Sequence, residues 1–168
     1  IVAFGHEATE LPFEMMYVPA GEYTFGSDDE IRSIDYAFEM MKFEVTNEQY
    51  LQFLLPLLEE GAIYIEYPSG ENNRIKGYYS GNEWFAPGNY EFLTISSSES
   101  GSKPIYVVGG NLFIKEGYGS HPVSAATLIG ALVFAEHYGL RIPSYQEWVK
   151  AARGNTGNDY PWGDEIDA

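Results

Sequence analysis

The middle third of the chain constrains the fold most. Residues 61–120 are rich in Gly, Ser, Tyr and Asn and read as short strands and hairpins. Ile63-Tyr64-Ile65-Glu66-Tyr67 is a strand candidate closed by Pro68-Ser69-Gly70. Ile105-Tyr106-Val107-Val108, then Gly109-Gly110-Asn111, then Leu112-Phe113-Ile114 give the clearest hairpin signal. Ser96–Ser102 reads as a loop. Helical patterns stand on either side of this region, so the chain is expected to be α+β, with short strands, hairpins and two or three helices.

The helical patterns carry their own boundaries. Thr46 is a helix N-cap with Gln49 as its capping-box partner, and Tyr50, Phe53, Leu54 and Leu57 follow as one apolar stripe. Pro56 is expected to kink or end that helix, with Gly61 as its latest stop. Thr127 caps a second helix over 128–138, with Leu128, Ala131, Leu132 and Ala135 as its apolar face and Gly139 as its stop. Pro143 and Ser144 open a third, with Glu147 as the capping-box partner, Trp148, Ala151 and Ala152 on one side and Gly154 at the end. Ahead of these, Met15–Val18 and Glu22–Phe25 read as two short strands around Pro19-Ala20-Gly21, and Phe43-Glu44-Val45 reads as a strand. Asp28-Asp29-Glu30 is an acidic loop, and 155–168 is turn-rich around Pro161-Trp162-Gly163.

Composition narrows the function. A length of 168 residues suits one domain, and 45% hydrophobic residues suffice for a sizeable core. The formal charge of −16 argues against binding nucleic acid phosphates or anionic membranes and permits cationic partners, calcium or simply high solubility. The chain contains no cysteine, which removes disulfides, thiolate metal sites and thiol nucleophiles. The longest apolar-rich stretch, 125–135, is too short to span a bilayer. Ile1 at the start reads as a processed product or fragment and points to an extracellular, periplasmic or cell-surface location, with the cytoplasm left open.

Four stretches in this order resemble one family. They are Met16–Tyr23 ending in Phe25-Gly26-Ser27; Glu44-Val45-Thr46-Asn47-Glu48-Gln49-Tyr50 with Phe53; His121-Pro122-Val123 with Gly130-Ala131; and Arg141-Ile142-Pro143-Ser144 with Glu147-Trp148, Lys150–Gly154 and Tyr160–Asp164. They resemble the formylglycine-generating-enzyme or sulfatase-modifying-factor domain. The resemblance implies an elaborated C-type-lectin-like fold in a single domain over 1–168, with an N-terminal extension at 1–13 and a variable Tyr/Gly-rich hairpin region at 62–120. It assigns a structural role to Thr46, Asn47, His121, Pro122, Arg141, Pro143, Glu147, Trp148, Arg153 and Trp162. Trp148 and Trp162 are expected to anchor the third helix to the turn that follows.

The departures from the family bear on activity. The family usually has a tryptophan where Leu128 stands and a Thr-Glu pair where Ser144-Tyr145 stand. Its enzymes place calcium loops and a copper-binding cysteine pair in segments beyond the Trp-Gly-Asp turn, and no residue here matches them. Without thiols this chain is not expected to perform that oxidation. A histidine–iron site, as in some relatives, would need ligands from His6, His121 and His137, which lack helical ligand spacing. Asp159, Asp164, Glu165 and Asp167 form a candidate calcium cluster, without a full loop motif. Tyr78, Tyr79, Trp84, Phe85 and Tyr90 crowd the middle third and form a candidate aromatic binding surface for protein or glycan. The expectation is therefore a non-catalytic domain for protein binding or assembly. The alternatives are an N-terminal fragment of the oxidase and a lectin-like glycan binder.

Overall fold

The computed structural model describes residues 1–3, 11–69, 72–156, 158, 160 and 163–165. In chain order the elements are β1 (Val2–Ala3), β2 (Met15–Val18), β3 (Gly21–Phe25), β4 (Glu30–Ile34), β5 (Phe38–Met41), α1 (Asn47–Glu59), β6 (Ile63–Glu66), β7 (Asn73–Tyr79), β8 (Gly88–Ile95), β9 (Ile105–Val108), β10 (Asn111–Ile114), α2 (Leu128–His137) and α3 (Tyr145–Arg153). Among the described residues every strand ladder is antiparallel, and three helices accompany the small sheets, so the fold is α+β. The chain divides into two compact units, residues 1–43 with 139–168, and residues 44–138.

The first unit holds a sheet in the order β1-β5-β2, a separate β3-β4 hairpin, and α3. β2 and β3 flank Pro19-Ala20 but pair with different partners, β2 with β5 and β3 with β4. The turn at Pro19-Ala20 therefore passes the chain between sheets instead of closing a hairpin. The β3-β4 turn uses left-handed backbone at Gly26 (φ 71°) and Asp29 (φ 51°), a conformation Asp tolerates better than most residues. The core of this unit is Tyr23, Ile34, Phe38 and Val149, with Val18, Phe25 and Met40 packed against it.

The segment Phe43-Glu44-Val45, expected as a strand, lies outside every ladder; the strand comes earlier, at β5. Phe43 is 64% exposed, and an extended run with one bulky side chain in solvent gains little from pairing.

In the second unit, α1 starts at the predicted capping box. Gln49 N donates to Thr46 Oγ1 (3.2 Å) and Thr46 N donates to Gln49 Oε1 (2.9 Å). The helix continues past Pro56 to Glu59, so the proline does not end it, and it stops before Gly61. Both Pro56 and Gln52, whose carbonyl loses its partner, are on the exposed side, where water satisfies the orphan group. Tyr50, Phe53 and Leu54 are buried, and Phe134 of α2 stacks on Tyr50 (5.4 Å, 9°) and meets Phe53 edge-on (5.4 Å).

α2 is rotated from the face its sequence suggested. Ile129, Gly130, Phe134 and Ala135 are buried, while Leu128 is 58% exposed. The cause is a close approach to β8: a Cβ on Gly130 would sit 2.1 Å from the Phe92 carbonyl oxygen and 2.6 Å from the Tyr50 hydroxyl. Only glycine admits that contact, and it sets which stripe faces inward. Thr127 fixes the same end, its N–H donating to Phe92 O (3.0 Å) and its hydroxyl to Glu91 O (2.5 Å).

The remaining sheet has the order β6-β7-β8, and β9 and β10 form a hairpin with Asn111 opposite Val108. Gly109 (φ 59°) and Gly110 (φ 83°) are both left-handed, as a two-residue type I′ turn requires. No helix among the described residues is long and apolar enough to cross a membrane.

Candidate binding surface

The residues of the recognisable motifs are consumed in holding the backbone. Asn47 is fully buried at the start of α1. Its amide donates to Tyr118 O (2.9 Å) and His121 O (3.0 Å), and its backbone N–H donates to His121 O (2.9 Å). Two facing carbonyls leave only one orientation for the amide, so Nδ2 points at them. Asn47 Oδ1 is then the one buried side-chain polar atom without a partner among the described residues. Pro122 follows in a single bridge with Thr46. Thus Asn47 and the 118–122 loop tie the start of α1 to the approach to α2.

Glu147 is the hub of the other unit. Its carboxylate is fully buried and accepts from Ser144 N (2.7 Å), the Tyr36 hydroxyl (2.9 Å) and both terminal nitrogens of Arg141, one at 2.8 Å. Burial alone would raise its pKa. The hydrogen bonds from Arg141, Ser144 and Tyr36, with the Arg141 charge, outweigh that and hold it at about 2. Burial and the same carboxylate push the Tyr36 phenol up. A carboxylate with its oxygens occupied this way is a structural post, with no lone pair aimed at solvent.

One expectation about this motif needs correction, that Trp148 anchors α3 to the turn that follows. Glu147 pairs with Arg141. Arg153 turns the other way, donating to Gly26 O (2.6 Å), to Asn158 O (3.2 and 3.0 Å) and to Asp29 (3.0 Å), so it clasps the β3-β4 turn. Trp148 does not anchor α3: it is 58% exposed, because Glu147, Val149 and Lys150 occupy the inward side. Trp162 lies outside the described residues. Pro143 stands two residues ahead of α3 and is half-buried.

Of the candidate calcium residues, Asp164 and Glu165 are exposed, while Asp159 and Asp167 lie outside the described residues. Among the described residues no group of three or more His, Asp or Glu is placed to hold a metal ion. His121 packs against Tyr118 (5.0 Å), and His137 against Phe53 (5.2 Å) and Tyr138 (4.8 Å); His6 lies outside the described residues.

The five aromatic residues divide into two sets. Tyr79, Tyr90 and Phe85 form an edge-on chain, with centroids 6.4 Å and 6.5 Å apart. Tyr79 is buried and donates to Glu136 (3.0 Å); burial and that hydrogen bond raise its pKa. Tyr90 donates to Ala86 O (2.9 Å). This chain ties the 80–87 loop to the sheet.

The other two, Trp84 and Tyr78, are 74% and 63% exposed. Trp84 is displayed by a closed turn. Asn82 Oδ1 accepts the backbone N–H of Trp84 (2.8 Å) and of Phe85 (2.9 Å), and Asn82 N donates to Phe85 O (2.9 Å). Gly81 (φ 87°) enters this turn where a Cβ would lie 2.8 Å from Phe85 O. The indole is therefore presented to solvent on a braced support.

Sequence reasoning missed the rest of the sheet face that bears Tyr78. Antiparallel register places Tyr64 opposite Lys76, Glu66 opposite Arg74, Lys76 opposite Glu91 and Tyr78 opposite Asn89. The outward row thus carries two tyrosines as diagonal neighbours, with an ion ladder beside them: Lys76–Glu66 (3.2 Å), Arg74–Glu66 (3.8 Å) and Arg74–Glu91 (3.6 Å). Alternation along β7 was the available signal, since Ile75, Gly77 and Tyr79 point inward and leave Lys76 and Tyr78 outward.

The chain belongs to the sulfatase-modifying factor enzyme 1-like domain family, whose model it matches over residues 3–168. It is similar to a protein named serine/threonine-protein kinase Pkn1 from Chlamydia trachomatis, 31% identical across 92% of this chain and 22% of that protein. A protein of the same name from Chlamydia pneumoniae is 30% identical over the same shares. The uncharacterized protein YfmG of Bacillus subtilis is 42% identical over 29% of this chain and 10% of its own. The chain spans about a fifth of the length of the kinase-named relatives. No solved structure matches it.

Proposed function

We propose that this domain is a non-catalytic recognition module that binds a protein partner through the outer face of β6-β7-β8 and the loop bearing Trp84. The observation that carries this reading is the division of labour among side chains. Asn47, Arg141, Glu147 and Arg153 are spent on internal hydrogen bonds, while Trp84 is held in solvent by a turn built around Asn82. Exposed tryptophan and tyrosine on a rigid support are the side chains that dominate interface energetics, because they bury large areas at little entropic cost. The ion ladder beside them is charge-balanced, so it provides register, and the overall charge of −16 steers a basic partner. The 168 residues contain no thiol, so the copper–cysteine oxidation of the family's enzymes finds no residues here. That relatives with kinase names carry a similar stretch in only 22% of their length supports a recognition role beside other activities in longer proteins.

The test compares the chain with its Trp84→Ala variant on a peptide array and on a glycan array, with and without calcium. Peptide ligands that Trp84→Ala loses by about tenfold or more support the reading. Binding to glycans alone would overturn it in favour of a lectin role.

A further inference from the structure

A separate pocket in the first unit has the composition of a small-ligand site. It is about 330 Å³ and is lined by Val18, Pro19, Ala20, Glu22, Lys150, Gly154 and Asn155. Its unusual member is Lys150. This side chain is 4% exposed, yet its ammonium makes one hydrogen bond, to Gly21 O at 2.7 Å. No carboxylate of the described residues forms an ion pair with it, and the ring of Tyr23 lies 5.9 Å from Nζ. Burial holds its pKa below the ordinary lysine value. An ammonium carries three donors, so two remain for whatever fills the pocket. Leaving buried charged donors unmatched is unfavourable, and a carboxylate supplies two acceptor oxygens with the opposite charge.

Of the other lining residues only Glu22 is charged, and its sign is opposite. Glu22 is exposed on β3, and Gly154 and Asn155 form the C-terminal end of α3, where the helix dipole favours positive charge. Val18, Pro19 and Ala20 add an apolar wall. We propose that this pocket binds a small zwitterion of the α-amino acid type, its carboxylate on Lys150 Nζ, its ammonium toward Glu22 and the end of α3, and its side chain against Val18 and Pro19. Neither a simple anion nor a simple cation uses both ends of the site. The volume equals roughly ten waters, room for an amino acid of modest size.

The experiment is NMR titration of the ¹⁵N-labelled chain with three probes: L-alanine, propionate and ethylamine. The expected result is a saturable shift of the Ala20, Glu22, Gly154 and Asn155 amides with L-alanine, weaker with propionate and absent with ethylamine. Lys150→Met abolishes it. Because that substitution perturbs a buried site, the exposed Glu22→Gln variant serves as the second arm. It weakens L-alanine roughly twofold to fivefold and leaves propionate unchanged. No saturable shift at those amides with L-alanine, or ethylamine binding as tightly as L-alanine, overturns the proposal. Equal losses of L-alanine and propionate in Glu22→Gln also overturn it.

Discussion

Replacing Glu147 by Gln puts the energetic account of the motif to its sharpest test. The carboxylate is fully buried and takes hydrogen bonds from Ser144, Tyr36 and Arg141. Its pKa falls from 4.5 to about 2, and that gap corresponds to about 3 kcal/mol of folding free energy. Arg141 is 38% exposed, so water takes over part of its charge when the partner is removed, and the pair is worth no more than the lower end of the about 3–5 kcal/mol of a fully buried one. The sign follows from the depressed pKa. The contribution is fully present above pH 4.5 and is lost as the pH falls toward 2. Urea denaturation of both chains from neutral pH down to pH 2 is the assay. Glu147→Gln should lose about 3 kcal/mol at neutral pH, and the difference should shrink between pH 4.5 and 2. A loss under about 1 kcal/mol at neutral pH, or a difference that stays constant with pH, would refute the reasoning.

Other substitutions probe the second unit. Asn47→Leu removes both amide donors to Tyr118 O and His121 O and should destabilise by about 2–3 kcal/mol in the same denaturation assay. Gly130→Ala places a Cβ 2.1 Å from the Phe92 carbonyl, a backbone atom that cannot swing aside, and should lower stability by about 1–3 kcal/mol with α2 displaced from β8. Trp84→Ala should change stability by no more than about 0.5 kcal/mol, since the indole is 74% exposed, while weakening partner binding. Partner affinity should also fall as salt rises, with most of the change in the association rate measured by stopped flow.

Local signals proved readable wherever backbone chemistry decides the structure. The capping boxes at Thr46 and Ser144 and the Gly109-Gly110 turn sit where their hydrogen-bonding and φ requirements place them. The misread features depend on distant contacts. Leu128 belongs to a plausible helical stripe, but Gly130 must meet the Phe92 carbonyl, and that contact turns the helix. Trp148 is the largest side chain on α3, but the inward position next to it belongs to Glu147, whose partners Tyr36 and Arg141 come from other segments. Pro56 looks like a break until its place on the solvent side is known. For the candidate surface, composition gathered five aromatics into one group. Only strand register and the Asn82 turn separate the packed chain of Tyr79, Tyr90 and Phe85 from the displayed Trp84 and Tyr78.

Site-specific photo-crosslinking in cells tests the recognition role most directly. A photoreactive aromatic residue replaces Trp84 or Tyr78, and an exposed position at the end of α1, Glu60, serves as the control. A discrete protein adduct is expected from positions 84 and 78, absent at 60 and diminished in a cell extract when salt is raised. Adducts from position 60 with none from 84 and 78 would contradict it.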